Sequence, residues 1–124
     1  MPSHVDFSSK QASPDSPGIH DIDPKELWEK RDQVCIVDVR RPDEFTGELG
    51  HIPGARLIVL DTLEVRLSEI PKDQTVVFVC RSGGRSGRAT AFAKANGLDH
   101  VFNMKGGMLL WNQLGLKVEG KNEG

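Results

Sequence analysis

A chain of 124 residues carrying 16 Lys and Arg against 18 Asp and Glu, formal net charge −2, can bury one hydrophobic core without disulfide or metal support, and one domain is expected. The charge balance excludes a general attraction to nucleic acid or to anionic membrane, so any basic character is local. With 2 cysteines there is no disulfide framework, and no basic start leads into an apolar run, so a soluble, cytoplasmic protein in a reducing compartment is expected.

Residues 1–18 hold five serines and three prolines among few apolar residues, the composition of a disordered arm. Asp23-Pro24-Lys25-Glu26 predicts a helix to about Arg31, with Asp23 and Glu26 closing a capping box. Val34 to Val39 is a strand of the kind buried on both faces, with Cys35 as a core residue. Pro42-Asp43-Glu44 opens a short helix, and the turn Gly50-His51-Ile52-Pro53-Gly54-Ala55 delivers the chain into a strand at Arg56 to Val59. A helix over Thr62 to Glu69 follows, then a strand over Thr75 to Cys80. The helix from Ser86 to Ala95 is stopped by Asn96-Gly97. Val101 to Asn103 is a last short strand, Gly106-Gly107 turns into a helix over Met108 to Leu114, and residues 117–124 form a frayed tail. Strands alternating with helices over 19–116 predict an α/β domain, a largely parallel five-stranded sheet with helices on both faces.

In such sheets ligands sit at the carboxyl ends of the strands. Cys80 lies at that end of the most apolar strand and opens the loop Cys80-Arg81-Ser82-Gly83-Gly84-Arg85-Ser86. Two guanidinium groups, the amides of a tight glycine loop and the start of a helix all favour a thiolate there, and they would equally hold an anionic substrate. Ser82 and Ser86 read either as hydroxyl donors to that site or as loop solubility. The histidines His4, His20, His51 and His100 show no ligand spacing, so no metal is expected. Trp28 and Trp111 read as helix packing.

Four stretches, taken together and in order, resemble the single-domain rhodaneses, the thiosulfate sulfurtransferase-like family. They are Val37-Asp38-Val39-Arg40 with Glu44-Phe45, the turn Gly50 to Ala55, the loop Cys80 to Ser86, and Gly106-Gly107 before Trp111. The resemblance implies a rhodanese-like fold and a sulfurtransferase without cofactor. In such an enzyme the nucleophile Cys80 takes a sulfane sulfur from a small anionic donor such as thiosulfate, carries it as a persulfide, and passes it to a thiol, dithiol or protein acceptor. It further implies that Arg81, Ser82, Gly83, Gly84, Arg85 and Ser86 form the substrate cradle, that Asp38 and Arg40 pin the neighbouring loop, and that His51 is a turn residue outside the chemistry. Two alternatives stay open. One is a non-catalytic or sulfur-relay interaction module. The other is a phosphatase or arsenate-reductase-like activity of the related fold, whose signature cysteine and arginine are separated by five residues where Cys80 and Arg85 are separated by four.

Overall fold

Cys35–Asp38, Val76–Val79 and Val101–Met104 are buried at every residue, which a strand tolerates only when both sheet faces are covered. The computed structural model describes residues 4–14 and 16–120. In chain order its elements are β1 (Gln11–Ala12), β2 (His20–Ile22), α1 (Pro24–Lys30), β3 (Cys35–Asp38), α2 (Pro42–Phe45), β4 (Arg56–Leu57), α3 (Leu63–Arg66), β5 (Val76–Val79), α4 (Gly84–Ala95), β6 (Val101–Met104) and α5 (Gly107–Gln113). The sheet order is β1-β2-β6-β5-β3-β4. All neighbours are parallel except the β1–β2 pair, and β5 lies between β3 and β6, with Val76 opposite both Cys35 and Val101.

Period-two alternation divides the core. Val76, Phe78 and Cys80 pack with Val37, Ile58, Leu63, Ala89 and Ala93 on the face covered by α3 and α4. Val77 and Val79 pack with Leu27, Met108 and Trp111 on the opposite face, under α1 and α5. Trp28 meets Trp111 edge-on at 6.1 Å on that second face. Helices therefore cover both faces, as expected, but the sheet has six strands and not five, because β1 and β2 extend it at the N-terminal edge.

The described part of the N-terminal segment differs from a disordered arm. Phe7 is 1 % exposed, inside the α1/α5 core and edge-on to Phe102 at 5.2 Å. Ser8 and Ser9 donate their backbone N–H groups to the Glu26 carboxylate at 2.9 and 2.8 Å. These bonds also explain why the Asp23–Glu26 capping box does not form: Asp23 makes no side-chain cap bond, and Glu26 reaches outward to anchor the arm. Burial pushes the Glu26 carboxyl up, but the bonds from Lys30, Ser9 and Ser8 outweigh it and hold it well below the usual carboxylate range. Residues 1–3 and 15 lie outside the described residues.

The C-terminal segment also departs from expectation over 117–120. His51 and Glu119 exchange both backbone hydrogen bonds at 3.0 Å, and the Trp111 indole N–H donates to the Lys117 carbonyl at 2.9 Å. Residues 121–124 lie outside the described residues. The helix expected over Thr62 to Glu69 is three short pieces, a 3-10 turn at Leu60–Thr62, then α3, then a 3-10 turn at Leu67–Glu69. Among the described residues no helix is long and apolar enough to cross a membrane.

Candidate active site

Cys80 follows the last residue of β5, and the alternation of that strand turns its side chain toward α4. Gly83, at φ 110°, turns the chain sharply enough to cap α4, a conformation that costs a side-chain-bearing residue but not glycine. The turn brings the Gly83 N–H to 3.0 Å from Cys80 Sγ, and Ser86 Oγ lies 3.2 Å from the same sulfur. The first backbone bond of α4 runs from the Gly87 N–H to the Gly83 carbonyl at 3.0 Å. The amides of Gly84, Arg85 and Ser86 precede that bond and form the positive end of the helix beside the sulfur. Cys80 itself is 1 % exposed.

The glycine pair at the start of α5, Gly106 and Gly107, closes the loop from behind. The Met108 and Leu109 N–H groups donate to the Cys80 and Arg81 carbonyls at 2.8 and 3.0 Å. That approach leaves no space at Gly107, where a Cβ would stand 2.4 Å from the Arg81 carbonyl carbon.

Two ion pairs frame the loop. At the end of β3, Asp38 and Arg40 form a buried forked pair with bonds of 2.9 and 2.8 Å, and Arg40 Nη2 donates to the Gly50 carbonyl at 2.7 Å. The chain from Arg40 to Gly50 is thereby tied to the strand beside β5. Arg85 donates from both terminal nitrogens to Glu44 of α2, at 2.7 and 2.8 Å. Those bonds hold the Glu44 carboxyl down to about 2, and they push Arg85 further above its usual range. Arg81, Ser82 and Gly84 face solvent, and among the described residues Arg81 joins no ion pair.

The second cysteine is different in kind. Cys35 is a free core thiol in β3, pushed up by burial with Arg56 opposing. His51 stacks on Phe45 at 3.7 Å, and its Nδ1 lies 2.9 Å from the Phe45 carbonyl. Among the described residues no group of three or more His, Cys, Asp or Glu side chains could hold a metal ion.

Over residues 23–114 the chain matches the Rhodanese-like domain family. The chain belongs to that family. A sulfurtransferase of Allochromatium vinosum is 37% identical over 103 residues, 81% of this chain and 94% of that protein. A thiosulfate sulfurtransferase of Pseudoalteromonas translucida is 33% identical, over 69% of this chain and 79% of that protein. The crystal structure of a rhodanese-like domain protein from Staphylococcus aureus superposes with a TM-score of 0.68 at 36% identity, covering 80% of this chain and 97% of that one. Two further curated relatives are longer, and the chain spans 64% and 57% of their length. Sulfur transfer is the chemistry these comparisons support for the rhodanese-like domain at the level of the family.

Of the residues expected to form the cradle of this rhodanese-like domain, Gly83 and Ser86 contact the sulfur. Arg85 lies near it with its guanidinium edge occupied by Glu44, while Arg81 and Ser82 stand at the exposed rim. Glu44, Asn103 and Asp21 complete the site and were not singled out from sequence as site residues. Asn103 Oδ1 accepts from Ser86 Oγ, and Asn103 Nδ2 donates to Asp21 Oδ1 at 2.9 Å. A signal for Asn103 existed. An amide inside a strand that is otherwise Val, Phe and Met must find buried partners.

Proposed function

We propose that the protein moves a sulfane sulfur from an anionic donor, thiosulfate or a close analogue, to a thiol acceptor through a persulfide on Cys80. The Cys80 thiolate attacks the outer sulfur of thiosulfate. A new S–S bond forms, the old one breaks, and its electron pair leaves with sulfite. An acceptor thiolate, or cyanide in an assay, then attacks the terminal sulfur of the persulfide and Cys80 departs as the thiolate. What carries this assignment is the position of Cys80 Sγ, 3.0 Å from the Gly83 amide beneath the first turn of α4. Donors aimed there stabilise charge on the sulfur and on the persulfide beyond it, as an oxyanion hole does.

Arg81 is the guanidinium that meets the sulfonate oxygens of the donor, because Arg85 is already committed to Glu44. Arg85 fixes α2 against the loop instead. The cytoplasm, where thiols stay reduced, suits this chemistry.

Intact mass after incubation with thiosulfate tests the proposal. A gain of one sulfur, lost on adding cyanide and absent in Cys80→Ser but retained in Cys35→Ser, is expected. A folded protein that takes up no sulfur, or takes it up equally with Cys80 replaced, refutes it.

A further inference from the structure

Ser86 Oγ stands 3.2 Å from Cys80 Sγ, and it also faces Asn103 Oδ1 and, at 3.3 Å, the Gly83 carbonyl. A serine hydroxyl has one proton and can serve one acceptor at a time. The orientation of Asn103 is not free. Its neighbour on the far side is a carboxylate, Asp21 Oδ1 at 2.9 Å, which only accepts, so the amide NH2 lies toward Asp21 and the amide oxygen toward Ser86. Ser86, Asn103 and Asp21 are all buried, so a bond lost among them is not replaced cheaply. An amide does not relay protons without changing tautomer, and this arrangement therefore fixes a direction and does not conduct.

We propose that Asn103, held by Asp21, is a positioning residue that competes with the Cys80 sulfur for the single proton of Ser86. While Cys80 is a thiol, the hydroxyl donates to Asn103 and its oxygen accepts the S–H. When the sulfur is an anion the hydroxyl turns to it, and the Asn103 oxygen loses that donor. Ionisation thus breaks one buried hydrogen bond, which restrains the resting thiol and leaves the activated sulfur with a committed donor.

The inference rests on Cys80 being the nucleophile. The charged groups around the sulfur are the Arg85–Glu44 pair from α4 and α2, the Asp38–Arg40 pair from β3, Arg81 in the loop, and Asp21 of β2 behind Asn103. The strands β5 and β6 and the helix α5 contain no charged residue.

The test is the pH profile of Cys80 alkylation by iodoacetamide, followed by peptide mass on the full chain with no sulfur donor present. Asn103→Leu removes the competing acceptor and should shift the profile to lower pH by about half to one unit, the worth of one net hydrogen bond. The double variant Asp21→Leu with Asn103→Leu replaces both polar partners and leaves no buried carboxylate stranded, so it keeps the test available if the single variant does not fold. Neither shift should occur in a Ser86→Ala background. An unmoved profile, or one displaced to higher pH, overturns the proposal, and so does a shift that persists without the Ser86 hydroxyl, since that would be purely coulombic. Because the assay needs no sulfur transfer, its failure is separate from a failure of the protein to take sulfur from thiosulfate.

Discussion

Replacing Phe7 by alanine tests whether the N-terminal segment belongs to the folded domain. Its ring is 1 % exposed and touches the core that also holds Ile22, Leu27, Phe102 and Trp111. Deleting a buried phenylalanine side chain costs about 3–5 kcal/mol, transfer and cavity together. Total stabilities run to about 5–15 kcal/mol, so about a fifth of the margin or more rests on this one ring. For a chain of this size each kcal/mol lowers Tm by roughly 3–5 °C, which predicts a fall of about 9–25 °C. Thermal unfolding followed by circular dichroism reads the change directly. The same experiment on Glu26→Gln, which weakens the anchor for the Ser8 and Ser9 amides, should give a smaller fall in the same direction. An unchanged Tm in Phe7→Ala would mean that the segment is a passenger and that its contacts contribute nothing.

Arg81→Ala should raise the thiosulfate KM by about tenfold or more, the worth of a charge-assisted bond, with kcat less affected; a wild-type KM would return the sulfonate to Arg85. Glu44 is held down to about 2 by its bonds to Arg85, from an ordinary value of 4.5. Its pairing therefore stabilises the fold fully above the ordinary value, and that contribution is lost as pH falls through the lowered one. Urea midpoints measured across this acid window should fall less steeply in Glu44→Gln than in the parent, and parallel slopes would remove the clamp from the account. Gly107→Ala meets the Arg81 carbonyl at 2.4 Å and a φ of 59°. It should cost at least about 1–3 kcal/mol from the backbone alone and reduce sulfur transfer by moving the Cys80 loop, so unchanged Tm and turnover would show that the contact gives way freely.

The chemistry-bearing strand and its loop were legible because their signals are local. An apolar run ending in Cys80 can only be an interior strand, and Gly83 supplies the positive φ that starts α4. Arg40 donates to the Gly50 carbonyl across ten residues, a contact that no local pattern in the sequence specifies. The segment around Phe7 escaped for the same reason. Its composition is that of a disordered chain, and what orders it lies far along the sequence: the core around the Phe7 ring, the Thr75 hydroxyl that bonds the Val5 backbone, and the Glu26 carboxylate, 17 and 18 residues away from the two serines it holds. Glu26 was itself misread, since an acid three residues after Asp23 fits a local capping box just as well as a distant anchor. The ion-pair partner of Arg85 is invisible in the sequence, because nothing in its own neighbourhood supplies a counter-charge. Glu44 is 41 residues away and meets it only in the fold.

The sheet order also dictates a sequence of events during synthesis. Strand β2 lies beside β6 and pairs with nothing else parallel, so the Asp21 carboxylate waits for the Asn103 amide, 82 residues later. Pairings that close such long loops are the slow ones in folding. A nascent chain can join β3 to β5 earlier, and Cys80 then stands at the end of a half-built sheet without Asn103 and without the Met108 and Leu109 amides behind its loop. In that interval the thiol lacks the cover of the finished protein, where Cys80 is 1 % exposed beneath α4, and it is more open to oxidants. The demand for a reducing environment therefore falls most heavily on the newly made molecule.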